Sequence, residues 1–152
     1  KSKHSIRRKK MINNLVSIMK KLISQKQAIL IMIALLTVVL VFHLLVLTGV
    51  IPYAIVWAGK ISTAADMRKL EVISILVNAF AILILLLKSG SIQNNVRVKI
   101  LNAIILLLAI LFSFNTIGNL FAKSGFELYF FTPLTFILAV LCLRIVIYTK
   151  PK

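Results

Sequence analysis

Four long apolar stretches take up most of this 152-residue chain, at roughly 28–50, 70–87, 100–122 and 126–148. A helix that crosses a bilayer needs about 20 predominantly apolar residues, because its backbone must satisfy its own hydrogen bonds in the hydrocarbon. The expected fold is therefore all-α: an integral membrane four-helix bundle preceded by a short amphipathic cytoplasmic helix. The chain divides into a basic segment at 1–27, the four-helix domain at 28–148 and a tail at 149–152. Hydrophobic residues make up 61% of the chain and the mean hydropathy is +1.03, values that exclude an ordinary soluble domain. The first stretch is too long for the apolar region of a signal peptide and no small-residue cleavage site follows it, so it reads as a retained anchor.

The formal charge of +16 would suggest nucleic acid in a soluble protein, but its distribution favours a membrane. Nine of the nineteen basic residues lie between Lys1 and Lys26, where they would meet anionic headgroups. The loop after the second span adds Lys88, Arg97 and Lys99, and the tail adds Lys150 and Lys152, again without an acid. All three acids, Asp66, Glu71 and Glu127, fall on the other side. The charge bias places both termini in the cytoplasm. Membrane lipids are the expected partners, with a second copy of the chain or another membrane protein as further candidates; nucleic acid is not expected.

Cys142 is the single cysteine and His4 and His43 are the two histidines, so neither a disulfide nor a metal cluster has its ligands. No metal or cofactor is expected, and Cys142 reads as a small buried hydrophobe. Before the first span, Ile12, Leu15, Val16, Met19, Leu22 and Ile23 recur at helical spacing with Lys20, Lys21 and Lys26 beside them, the pattern of a helix lying on the inner leaflet. Thr48-Gly49 followed by Pro52 closes the first span, with Gly49 at C′. Thr63-Ala-Ala-Asp66 fits a capping box, and Ser124-Gly-Phe-Glu127 repeats the pattern. Pro133 leaves two options: it kinks a helix begun at Ser124, or Thr132 caps a helix in which Pro133 is the first residue.

Polar side chains inside a bilayer are costly and usually face the bundle interior. Here they share one depth. His43 lies in the outer half of the first span; Glu71, Ser74 and Asn78 descend one face of the second; Asn115, Gly118, Asn119 and Ala122 form the outer end of the third; Thr132 and Thr135 open the fourth. The inner halves are almost wholly Leu, Ile, Val and Ala. This asymmetry points to an outer polar pocket over an apolar floor, with Trp57 and Lys60 at its rim. The candidate ligand-binding residues are thus His43, Trp57, Lys60, Glu71, Ser74, Asn78, Asn115, Asn119, Thr132 and Thr135.

Each has a plainer reading. Glu71 can pair with Arg68 one turn away, His43 can bond Asn78 or Asn115, and the three asparagines can join helices. Gly118 reads as a point of close helix approach. Arg144, near the inner end of the last span, reads as snorkelling to cytoplasmic headgroups. Tyr53 and Trp57 read as interfacial anchors.

The stretch Phe114-Asn-Thr-Ile-Gly-Asn-Leu120, followed by Glu127 and Thr132-Pro-Leu-Thr135, resembles small four-span bacterial integral membrane proteins of uncharacterised function. Ile55-Val-Trp-Ala-Gly-Lys60 with Glu71 is similar too. The resemblance covers roughly 28–148; it implies a bacterial plasma membrane location and no particular activity. Other tetraspan classes fit poorly. Vitamin K reductase-like proteins need a CxxC, claudin-like proteins need paired cysteines, and small multidrug exporters carry an acid in the first span where this chain has His43. The charged second-helix motif of the membrane eicosanoid and glutathione family has no counterpart.

Three functions follow as expectations. The first is binding of a lipid or small amphiphile in the outer pocket, as a transport or accessory subunit. The second is a membrane enzyme using His43 and Glu71 as acid and base on a lipid or isoprenoid, although no nucleophile accompanies them. The third is a structural partner of another membrane protein, without a ligand.

Overall fold

A computed structural model describes residues 3–52, 63–90 and 95–147. Every regular element among them is helical: α1 (Lys3–Leu22), α2 (Gln25–Leu47), α3 (Ala64–Gly90), α4 (Asn95–Leu120), a π-helical turn at Glu127–Phe131 and α5 (Thr132–Val146). Four of the helical segments, beginning at Gln25, Ala64, Val96 and Glu127, are long and apolar enough to cross a membrane. Large apolar side chains face outward along all four, among them Leu30, Leu76, Leu107 and Phe136. Such surfaces are stable against lipid rather than water.

The helix ends follow local chemistry. Ser24 caps α2: its hydroxyl accepts from the Gln27 N–H at 3.2 Å, and the Gln27 side chain accepts from the Ser24 N–H at 3.0 Å. This capping box starts α2 three residues before the apolar run. At its other end Gly49 takes φ +79°, which favours glycine, and donates to the Val46 carbonyl. Thr63 caps α3 by accepting from the Asp66 N–H at 3.1 Å, while its hydroxyl donates to the Asp66 carboxylate at 2.7 Å. The α3 helix accordingly begins before the apolar run at 70.

Pro133 sits inside a continuous helix begun just after Ser124, so Thr132 is not an N-cap. A proline cannot donate a backbone bond and crowds the carbonyl four residues earlier. The turn before it is widened to π geometry, closed by the Thr132 N–H on the Glu127 carbonyl.

Antiparallel neighbours are recorded by polar contacts at both ends of the bundle. Gln25 Nε2 donates to the Ile145 carbonyl at 2.6 Å, and Lys88 Nζ donates to Asn102 Oδ1 at 2.7 Å. These lie at the terminal end, which carries the start of α2, the end of α5 and the α3–α4 connection. At the distal end His43 meets Glu71, and Thr116 meets Thr135 at 2.9 Å. The main core fills the terminal half: Met32 and Leu36 of α2, Leu85 of α3, Ile105 of α4, and Leu138, Cys142 and Ile145 of α5. Around the bundle α2 packs chiefly against α3, and α4 against α5, while α3 and α4 pack less closely.

Buried positions recur at steps of three and four: Ile29, Met32, Leu36 and Val39 in α2, and Met67 and Glu71, then, one half-buried Ser74 further on, Asn78, Ala81, Leu85 and Lys88 along α3. This is the seam spacing of knobs-into-holes packing in a helical bundle.

Two readings need correction. Arg144 does not snorkel: it is 4% exposed, and its Nε donates to the Ile23 carbonyl at 2.7 Å and its Nη1 to the Ile147 carbonyl at 3.3 Å. A guanidinium there satisfies backbone acceptors at the α1–α2 junction and the end of α5. Gly118 is not a close-approach point either, since a Cβ added there would meet nothing within 4 Å. Arg144→Gln should destabilise the fold by about 1–3 kcal/mol, the range for a lost charged hydrogen bond in a buried setting. Denaturation in detergent and faster hydrogen exchange at 23–28 would show it; unchanged stability and exchange would contradict the clamp.

Candidate functional site

The distal half of the bundle cannot close as the terminal half does, because its seam positions carry polar side chains. His43 continues the α2 seam four residues beyond Val39, and Glu71 and Asn78 are seam positions of α3. The result is a cavity of about 310 Å³ lined from all four helices. Apolar walls come from Val39, Phe42, Val77, Phe112 and Leu138, of which Phe112 and Leu138 belong to the packed core. Its polar lining is His43, Glu71, Ser74, Asn78, Asn115, Asn119, Glu127 and Thr135. The exposed lining residues, Ile73 of α3 and Leu111 and Asn115 of α4, place the mouth between the two helices that pack less closely.

The central contact is between His43 Nδ1 and Glu71 Oε2 at 2.7 Å. Glu71 is fully buried, and the His43 side chain is 15% exposed. The bond joins α2 to α3 whether it links an imidazolium to a carboxylate or a neutral imidazole to a carboxyl. It replaces the readings that gave His43 to Asn78 or Asn115, and it turns Glu71 across the helix pair. An unpaired carboxylate here would carry a large desolvation cost, so the imidazole is the natural companion.

Asn78 also departs from its helix-joining reading. Its Nδ2 donates to the Ser74 carbonyl of its own helix at 2.8 Å, and its buried Oδ1 has no hydrogen-bond partner. Thr135 anchors the other wall: its hydroxyl receives a bond from Thr116 and donates back toward the Phe131 carbonyl at 2.8 Å. Thr132 does not line the cavity, and its hydroxyl oxygen is buried without a partner. Trp57 and Lys60, the proposed rim, and Tyr53 lie outside the described residues.

The apolar walls and one acid were not among the expected site residues. Glu127 was assigned to capping, yet it is 7% exposed and lines the cavity. Phe131 joins it. In a uniform α-helix, Glu127, Phe131 and Thr135 would drift around the axis by about 80° over two steps of four. The wider π turn absorbs part of that drift and keeps all three on the cavity side. Phe42 and Phe131 then meet edge to face with centroids 4.9 Å apart, and Phe126 and Phe130 extend the cluster outward. The usable signal was the rarity of acids: two of the three lie at the depth of the asparagines.

Among the described residues no group of three or more His, Cys, Asp or Glu converges as metal ligands. Compared with known proteins, the chain matches no family model, no curated protein and no solved structure.

The His43–Glu71 bond should show as energetic coupling. A double-mutant cycle with His43→Ala and Glu71→Gln in detergent should give at least about 1 kcal/mol of interaction. Additive effects of the two substitutions would mean that the contact does not hold the helices.

Proposed function

We propose that this chain is an integral membrane protein that binds a lipid or small amphiphilic molecule in the outer half of its bundle, as a transport or accessory subunit. The observation that carries the reading is the cavity itself: a chamber of about 310 Å³ with polar groups from all four helices set among largely apolar walls, its exposed lining residues on α3 and α4. A polar head inside and a hydrocarbon tail across Ile73 and Leu111 would match both solvents at once. The basic residues at the terminal end favour cytoplasmic termini, which makes the distal half the outer half. A bacterial plasma membrane suits this arrangement. The α1 helix, whose Met11, Ile18 and Leu22 are exposed and whose flanks are basic, is suited to lie on an anionic inner leaflet.

Native mass spectrometry of the detergent-purified protein tests the reading, beside an Asn78→Leu/Glu71→Gln variant whose helical content is verified by circular dichroism. A defined extra mass should accompany the wild type and drop by about tenfold in the variant, as expected for a few lost polar contacts. The same mixed adducts on both proteins would leave the polar residues as helix-joining groups and favour a purely structural partner role.

The His43–Glu71 bond on the cavity wall supports a second reading, acid–base catalysis on a lipid or isoprenoid head. It requires a bound amphiphile to be released chemically altered by the wild type and unaltered by His43→Gln. Recovery of unchanged material from both would exclude it.

A further inference from the structure

The polar groups of the cavity lining differ in the partners they already have, and that difference narrows what a ligand must bring. His43 and Glu71 hold one another at 2.7 Å, so the pair is neutral overall whichever of the two carries the shared proton. Glu127, the other acid, has contacts of its own. Thr135 receives from Thr116 and donates to the Phe131 carbonyl. Among the described lining residues there is no lysine or arginine. A charged head would therefore leave water for largely apolar walls whose ionisable groups are already engaged, at a large desolvation cost.

Asn78 is the exception. It is 7% exposed, it lines the cavity, and its Oδ1 has no hydrogen-bond partner. The other half of the amide sets its orientation, since Nδ2 donates to the Ser74 carbonyl at 2.8 Å. Turning the group over would set oxygen against oxygen. A buried amide oxygen without a partner costs free energy that an arriving donor recovers. The complement of this wall is therefore a hydrogen-bond donor. The side chains around the oxygen leave it little room, which suits a slender donor, a single O–H, better than a branched amide.

We infer that the cavity takes the uncharged hydroxyl head of an amphiphile, its O–H donated to Asn78 Oδ1 and its hydrocarbon lying on the apolar walls and on Ile73 and Leu111. This rests on the amphiphile-binding reading above and specifies its head. A hydroxyl brings one donor to one unpartnered acceptor, and no charge. An ether of similar length brings an oxygen without the donor and sets acceptor against acceptor. An ammonium brings donors together with a charge that the engaged His43–Glu71 pair does not offset. A carboxylate brings charge and acceptors only.

The test uses the full chain in a non-ionic detergent at neutral pH and four probes with the same tail: dodecanol, dodecyl methyl ether, dodecylamine and dodecanoate. Saturable thermal stabilisation is followed by circular dichroism, which also verifies helical content, on the wild type, Asn78→Leu and Asn78→Ala. Dodecanol should reach half-saturation of the wild type at a concentration about tenfold below that of the ether, with the amine and the acid also weaker than the alcohol. The two variants differ in volume but share the loss of the acceptor. Both should bring alcohol and ether to within about twofold of one another. Equal half-saturation by alcohol and ether in the wild type, or a preference for the amine or dodecanoate, would overturn the hydroxyl head while leaving an amphiphile site in place; this comparison needs neither variant. A tenfold gap that survives both substitutions would overturn Asn78 as the acceptor. No saturable stabilisation by any probe would overturn the site as well. Competition of dodecanol by dilauroyl glycerol would identify a diacylglycerol as the source of the hydroxyl; dodecanol binding that dilauroyl glycerol leaves intact would identify a free long-chain alcohol.

Discussion

Hydrocarbon offers no hydrogen bonds, so a polar side chain on a spanning helix must find its partner within the protein. The His43–Glu71 bond meets that requirement for the most deeply buried acid of the bundle, and much of the distal architecture depends on it. It ties α2 to α3 at the level where the seam turns polar. Lys88–Asn102 and the Arg144 contacts do equivalent work at the terminal end, where a dry core of Leu, Ile and Met fills the remaining space. Between those two belts the packing is uneven. The apolar seam interdigitates, whereas the polar seam leaves room, since Ser74, Asn78 and Asn119 do not fill the volume that leucines would.

Pro133 and the turn before it connect backbone chemistry to that cavity. A proline within a helix needs local relief, and the relief here is a wider turn at Glu127–Phe131. The same turn delivers an acid and an aromatic ring to the cavity wall. Wider turns of this kind are frequent at functional sites because they re-aim side chains without breaking the helix. The exposed lining residues lie elsewhere, on α3 and α4, which pack less closely than their neighbours and are joined by Lys88 and Asn102 at their terminal ends.

Much of this was readable from the residues. The four spans follow from length and apolarity, and the Gly49 and Thr63 caps from local chemistry that needs no distant partner. The shared depth of His43, Glu71, Asn78, Asn115 and Thr135 could be counted from the helix ends, and all five line one cavity. Two further signals were present and went unused. Ser24 and Gln27 spell a capping box. The three-and-four spacing through His43 in α2 and Glu71 in α3 puts each on the buried seam of its own helix, without saying which partner it meets.

The sequence by itself determined that the chain is a four-span helical bundle with a polar end and an apolar end, because hydropathy and helix geometry act locally. Tertiary structure decided which polar groups meet. It gave Glu71 to His43, buried Arg144 against the Ile23 carbonyl, left Asn78 Oδ1 without a partner and turned Glu127 inward. Those outcomes depend on the order of helices around the bundle and on small rotations about each axis. No local rule sets them, because several pairings of the same polar residues would satisfy the same depth.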